Sequence, residues 1–338
     1  MAAHKTETLP LESHHLIKSL QEKDDVLDFV SNGIGCFAFT LIQGVGILDI
    51  LTENGRFEEK DLTNPKKFKN PIAIKSALLS LCLCNLLIYK DGSYFLTKLG
   101  AHLADKIGLL TMLFEGYGEL FANGVSIARG KTQNPAKYIN GASVAFSSIQ
   151  FGEKAVDPVV VDTIHKLRTK GTVCDLGCGS AHRLTKICQT LSLPGLGLDA
   201  DHEAVKLAKN LAKENSSIEI EQADVTQLDG VWEDVEVVMQ NFMTHDIAPE
   251  ENCIQTLRSY KNNFPHMKYF IIVDIVAPPQ DFSSHMPGYD YVHGLLGIET
   301  RTYEQTTSLF SRAGYKFARE IKLDMPNTYL WVLKPQRN

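Results

Sequence analysis

The stretch Val173-Cys174-Asp175-Leu176-Gly177-Cys178-Gly179-Ser180-Ala181 constrains this chain more than any other. An apolar strand ends on an acidic residue, runs into a glycine-rich turn, and gives way to helical periodicity over Leu184–Leu191. Glycines permit backbone conformations and close approaches that a Cβ obstructs, and the free N–H groups at a helix start suit a carboxylate or phosphate. The alternation continues downstream. Gly195–Leu198, Ile218–Glu221, Glu236–Met239, Tyr269–Val273 and Tyr329–Leu333 read as strands, and His202–Glu214, Glu250–Asn263 and Tyr303–Ala313 as helices. Such alternation predicts an α/β fold: a Rossmann-like parallel sheet covered on both faces, with ligands at the carboxyl ends of its strands.

The turn discriminates between cofactors. Gly177-x-Gly179-x-Ala181 lacks the G-x-G-x-x-G fingerprint of nicotinamide enzymes, and Asp175 sets a negative charge where a pyrophosphate would lie. A cationic sulfonium carrying an amino group suits that carboxylate. Asp199 closes the next strand, where a carboxylate can accept both ribose hydroxyls, and Asp224 follows the third strand, placed to meet an adenine edge. Singly, each Asp reads equally well as a helix cap or turn residue. Three acidic strand ends in order, beside Gly177 and Gly179, favour S-adenosylmethionine. Asn241, after the fourth strand, is a further candidate contact, and Ala181 at the third small position still permits tight packing.

With 338 residues the chain exceeds one ordinary domain of roughly 100–200 residues. The expected division is a helical N-terminal domain over 1–107, a helical connector and pocket cover over 108–170, and the cofactor domain over 171–338. Val26–Leu51, Pro71–Ile88 and Tyr94–Leu103 carry helical apolar patterns, and Leu87–Leu96 reads as a hairpin around Asp91-Gly92. Helix, helix, hairpin is a winged-helix-like order, which raises a DNA-binding regulator as the non-enzyme alternative. The candidate recognition helix carries Ile74, Leu78, Leu79, Leu81 and Leu83 with Lys75 as its only basic residue, so a dimer-forming face is the better reading. A net charge of −6 supplies no general attraction to nucleic acid. No uninterrupted apolar run reaches the ~18 residues of a membrane span, and Met1–Leu20 reads as a polar arm, not a secretory signal. Seven cysteines without zinc spacing fit reduced thiols, so a cytoplasmic protein with neither membrane nor nucleic-acid partner is expected.

On these residues the chain resembles the class I S-adenosylmethionine-dependent methyltransferases, and in particular the O-methyltransferase-like group with an N-terminal dimerisation domain. That resemblance implies a homodimer, a place in secondary metabolism, and a catalytic His-Asp pair at His245-Asp246, where a neutral imidazole can take a proton from a substrate hydroxyl. Asp246 then orients the site or caps the helix from Glu250. Phe242-Met243-Thr244-His245-Asp246, Pro249–Arg258 and Tyr291-Val292-His293-Gly294-Leu295-Leu296-Gly297 are similar to the α-keto acid (phenylpyruvate-type) C-methyltransferases. This implies one iron ion on His245 and His293 and C-methylation of a chelated 2-oxo acid. The arginine that grips the substrate carboxylate in the arylpyruvate enzymes has no counterpart in Lys137–Ser143, leaving Arg129 as a substitute. Relatives of this architecture also S-methylate a 2-hydroxy acid thioether, 4-methylthio-2-hydroxybutyrate, in dimethylsulfoniopropionate synthesis. O-methylation of a small hydroxylated metabolite, with His245 as base, is a further alternative. Tyr117, Tyr138, Met243 and Tyr291 are candidates to line the substrate pocket, or equally to fill the core.

Overall fold

The computed structural model describes residues 25–64, 66–213, 216–281 and 283–337. The N-terminal arm and Glu214, at the end of one expected helix, lie outside the described residues. The chain forms two compact units, Met1–Leu110 and Thr111–Asn338.

In the first unit the apolar stretch Val26–Leu51 is two helices, α1 (Asp25–Gly44) and α2 (Ile47–Asn54), because Gly46 breaks the path with φ 75°. Helix α3 (Pro71–Leu83) starts where the Asn70 side chain accepts from the Ala73 N–H and Pro71 takes the first turn. It ends before Ile88 because β2 (Leu87–Lys90) pairs with β3 (Ser93–Leu96) around Asp91-Gly92, both at positive φ. β3 also pairs with β1 (Phe57–Glu58). Lys75, the one cation of α3, is held by Glu59 at 2.7 Å. Helix α1 buries Ala38, Phe39 and Ile42 and packs against α3. Its 20 residues, with an 18-residue window at a mean hydropathy of 1.4, are long and apolar enough to cross a membrane, a property shared with core helices of globular domains. Run length alone missed this because Ser31 and Asn32 interrupt the run.

The second unit opens with the connector, which contains α4 (Gly141–Phe151) and α5 (Asp157–Leu167). A seven-stranded sheet follows, in the order β6-β5-β4-β7-β8-β10-β9. Its parallel strands are β4 (Thr172–Leu176), β5 (Gly195–Asp199), β6 (Ile218–Gln222), β7 (Val235–Asn241) and β8 (Tyr269–Ile275). β10 (Thr328–Pro335) lies antiparallel between β8 and β9 (Tyr315–Lys322). β9 carries no period-2 apolar pattern, since all but its first residue and Ile321 are exposed, and periodicity therefore did not mark it. Helices α6 (His182–Leu191) and α7 (His202–Ala212) cover one face with α5, through a core of Val160, Val173, Leu184 and Met239. α8 (Glu250–Asn263) and α10 (Tyr303–Arg312) cover the other, against Val238, Phe270 and Trp331. Between them in sequence lies α9 (Tyr289–Leu296). Strand order reverses between β4 and β7, so the crevice at their carboxyl ends is where such a sheet receives a ligand.

Candidate active site

Asp175, next to last in β4, is buried, and the turn after Leu176 holds Gly177 at φ 69° and Gly179 at φ 54°. A Cβ on Gly177 would lie 2.6 Å from the sulfur of the flexible Met243 side chain, so the positive φ is what favours glycine there. Ala181 takes the left-handed φ of 58° at the start of α6 with its methyl fully buried, so the methyl has room but the backbone carries a strain that glycine avoids. The Gly179 N–H donates to Asp199 Oδ2 at 2.7 Å and the Asp201 N–H to Oδ1 at 2.9 Å, so Asp199 ties the end of β5 to the glycine turn. Asn241 Nδ2 donates to Asp175 Oδ1 at 3.3 Å, while Asn241 Oδ1 is buried without a partner among the described residues. Burial pushes the Asp175 carboxyl up to about 7, against the opposing pull of Arg183 and Asn241. Asp224 is exposed and accepts from the N–H and hydroxyl of Thr226 at 2.9 and 2.7 Å, the local geometry of a turn residue.

β7 continues through Phe242, at φ 53°, into a turn over Thr244–Asp246. The neighbouring β8 brings Asp274 beside it, one residue beyond the register pair Asn241 and Val273. Asp274 is fully buried and accepts the His245 N–H at 3.0 Å, the Ile275 N–H at 2.8 Å, and a short bond from His245 Nδ1. On α9, His293 Nδ1 lies 2.6 Å from the Tyr289 carbonyl oxygen. Both imidazoles are thus fixed at Nδ1, and their Nε2 atoms face the Asp246 carboxylate at 3.6 Å (His245) and 3.4 Å (His293). Burial by itself disfavours a protonated His245, but the Asp274 and Asp246 carboxylates outweigh it and raise its pKa to about 9. The cluster is therefore built to hold positive charge. His245, Asp246 and His293 offer donor atoms within 4.8 Å of one another, the donor set of a two-histidine, one-carboxylate centre.

Two expectations for Asp246 change here. Helix α8 has Pro249, without a side-chain bond, as its N-cap, so Asp246 does not cap it. The carboxylate that orients His245 is Asp274, and Asp246 instead faces both rings. Asp274 had one signal in sequence, as the lone charge in the apolar run Phe270–Val276. Arg301, buried, had none; it donates to the carbonyls of Thr244 and Ile247 at 3.0 and 2.6 Å and clamps the turn that carries His245.

The substrate candidates divide. Met243 lies against Gly177 and lines a cleft of about 640 Å³ with Val225, Asp246, Ala248 and Asn252. Tyr117 is partly buried, and desolvation with the nearby Asp246 charge pushes its hydroxyl up to about 12. Tyr138 joins Tyr117 against the Leu120–Val292–Leu295 cluster, its hydroxyl 3.4 Å from Thr132. Tyr291 is 56% exposed and stacks on Phe121 at 5.3 Å, two residues from His293 and so on a different side of α9. Arg129 is exposed at the end of the short helix Gly124–Ala128.

A family model described as a methyltransferase domain matches residues 167–309. Indolepyruvate C-methyltransferase of Streptomyces griseus is 34% identical over 316 residues, 91% of this chain and 94% of that protein. Among solved structures, mitomycin 7-O-methyltransferase MmcR aligns at TM-score 0.70 and 13% identity over 95% of this chain and 99% of that one. CalO1, a methyltransferase in calicheamicin biosynthesis in its S-adenosylhomocysteine-bound form, aligns at TM-score 0.66 and 18% identity over 94% and 98%. The glycine turn, the sheet order and these relatives agree: the chain belongs to the S-adenosylmethionine-dependent methyltransferases, with indolepyruvate C-methyltransferase, and shares the fold of solved O-methyltransferases. Within that class, the resemblance to α-keto acid C-methyltransferases is met by the indolepyruvate relative.

Proposed function

We propose that this methyltransferase acts on the carbon beside the oxo group of a small 2-oxo acid, chelated by an iron ion at His245 and His293. The observation that carries the reading is the convergence of the two Nε2 atoms on the Asp246 carboxylate, with each Nδ1 already engaged. Histidines that ligate metals need that second anchor, and two imidazoles with one carboxylate suit iron while leaving positions open for a bidentate acid. Bound there, the ion would supply Lewis acidity that eases transfer of a proton from the carbon beside the oxo group to solvent water. The indolepyruvate C-methyltransferase relative supports the acceptor class.

The chain's own residues divide the remaining work. Asp175 and Asn241 receive the cofactor's amino group, Gly177 and Gly179 let the backbone approach it, Asp199 takes the ribose hydroxyls, and Asp224 stands at the adenine end. Met243, against the glycine turn, and Tyr117, near Asp246, shape the space between cofactor and histidine pair. Positioning brings acceptor, methyl and sulfur into line, so that the new C–C bond forms as the C–S bond breaks and S-adenosylhomocysteine leaves.

One observation favours a second reading, S-methylation of a 2-hydroxy acid thioether. Arg129 is exposed and Lys137–Ser143 has no arginine, so the chelating cluster itself would hold the acid, whatever its tail. The deciding experiment incubates iron-loaded protein and S-adenosylmethionine with an arylpyruvate or with 4-methylthio-2-hydroxybutyrate, and identifies products by mass spectrometry. A C-methylated 2-oxo acid is expected; a sulfonium product alone overturns the first reading in favour of the second.

The first unit serves as a winged-helix-like dimerisation domain. Phe29, Ile72 and Leu83 are 80%, 78% and 78% exposed, and a second copy is the occupant that a two-fold interface supplies.

A further inference from the structure

The amino-acid end of S-adenosylmethionine is a zwitterion, and the roles proposed so far answer only its ammonium group. A carboxylate so close to buried Asp175 requires a cation. Arg183 stands on the first turn of α6, directly after the glycine turn, on the sheet face that also carries Asp175 and Asn241. Its Nε donates to Asp157 Oδ1 at 2.7 Å; Asp157 is buried at the start of α5, and Lys186 reaches its other oxygen at 3.6 Å. One edge of the guanidinium is thereby fixed. Nη2 lies 2.6 Å from where a Cβ on Gly152 would sit, so a side chain at 152 would displace it. The Arg183 charge also acts on Asp175, lowering a carboxyl that burial raises.

We infer that Arg183 binds the carboxylate of the cofactor's amino-acid end, with Asp157 as the residue that positions it. A guanidinium presents five N–H donors in a rigid fork that matches a carboxylate, and the Nε bond to Asp157 leaves the Nη groups to serve it. Asp157 fixes the fork before the cofactor arrives, so little side-chain order is lost on binding. The competing account is a buried ion pair that only ties α5 to α6. The two differ in which ligand the arginine senses. The inference rests on the amino-group role of Asp175 and is independent of the methyl acceptor.

The test is calorimetric titration of the full chain with S-adenosylhomocysteine and with its decarboxylated analogue, S-adenosyl-3-thiopropylamine. In Arg183→Gln, affinity for S-adenosylhomocysteine is expected to fall about 10- to 100-fold while that for the analogue stays within about twofold. Equal loss for both ligands, or no loss for either, overturns the inference. Should Arg183→Gln not fold, Arg183→Lys keeps the charge without the fork and is expected to weaken only S-adenosylhomocysteine, with the same overturning outcomes. Asp175→Asn in the same titrations separates the failures: unchanged affinity there rejects the amino-group role, not the arginine.

Discussion

Asp175 and Asp274 both close strands of the sheet, but Asp175 has a single side-chain amide for company while Asp274 collects two N–H groups and an imidazole. Burial therefore leaves the Asp175 carboxyl at about 7 in the free protein. Between about pH 4 and that value the folded chain keeps a proton that the unfolded chain releases. The stability this group contributes is thus fully present below about pH 4 and is lost as pH rises through about 7. Cofactor binding runs the other way, because an ammonium pairs with the ionised carboxylate. S-adenosylhomocysteine affinity is expected to rise about tenfold per pH unit up to roughly pH 7 and then level off, and Asp175→Asn to bind weakly with a flat profile. Calorimetry across that range checks both. For Asp274 the expected consequence lies in the metal: Asp274→Asn should lose about 10- to 100-fold in iron affinity, and His293→Ala should lose the iron altogether, read by elemental mass spectrometry.

Among the elements, the turn Thr244–Asp246 depends on a residue far from it in sequence. Arg301 satisfies two buried carbonyls there, so Arg301→Met is expected to cost about 2–4 kcal/mol in denaturant unfolding, with Arg301→Lys recovering only part. That dependence also explains what could be read in advance. The glycine turn with Asp175, and the end of β5 with Asp199, were legible because strand, turn and helix are contiguous and each residue type has a local reason to be there. His245 and His293 were legible through a family pattern, but their anchors were not. Asp274 reaches His245 because β8 lies beside β7, and Arg301 reaches the turn from beyond α9; neither proximity exists in the linear chain. The helical apolar pattern read through Ile88 overlapped the hairpin read over Leu87–Leu96, and the hairpin prevails there, since pairing with β3 claims Leu87–Lys90 as strand.

For the whole molecule, the α/β alternation was legible in the sequence, but the strand order and the antiparallel insertion of β10 were not, the latter because the exposed β9 carries no apolar period. The apolar surface of the first unit is a prediction about assembly. Size-exclusion chromatography with light scattering at low micromolar concentration is expected to show a dimer, and Phe29→Glu with Leu83→Glu a monomer that keeps its circular dichroism; a wild-type monomer rejects the interface. The Nδ1 bonds of His245 and His293 bear on how the proposed ion would be held. Both rings are secured by protein groups, Asp274 and the Tyr289 carbonyl, so the pocket exists before the ion does, and folding need not wait for it. On the proposed reading such a centre would be refillable: a chelator would strip it without melting the chain, and the ion found there would record the supply around the protein as much as the preference of its ligands.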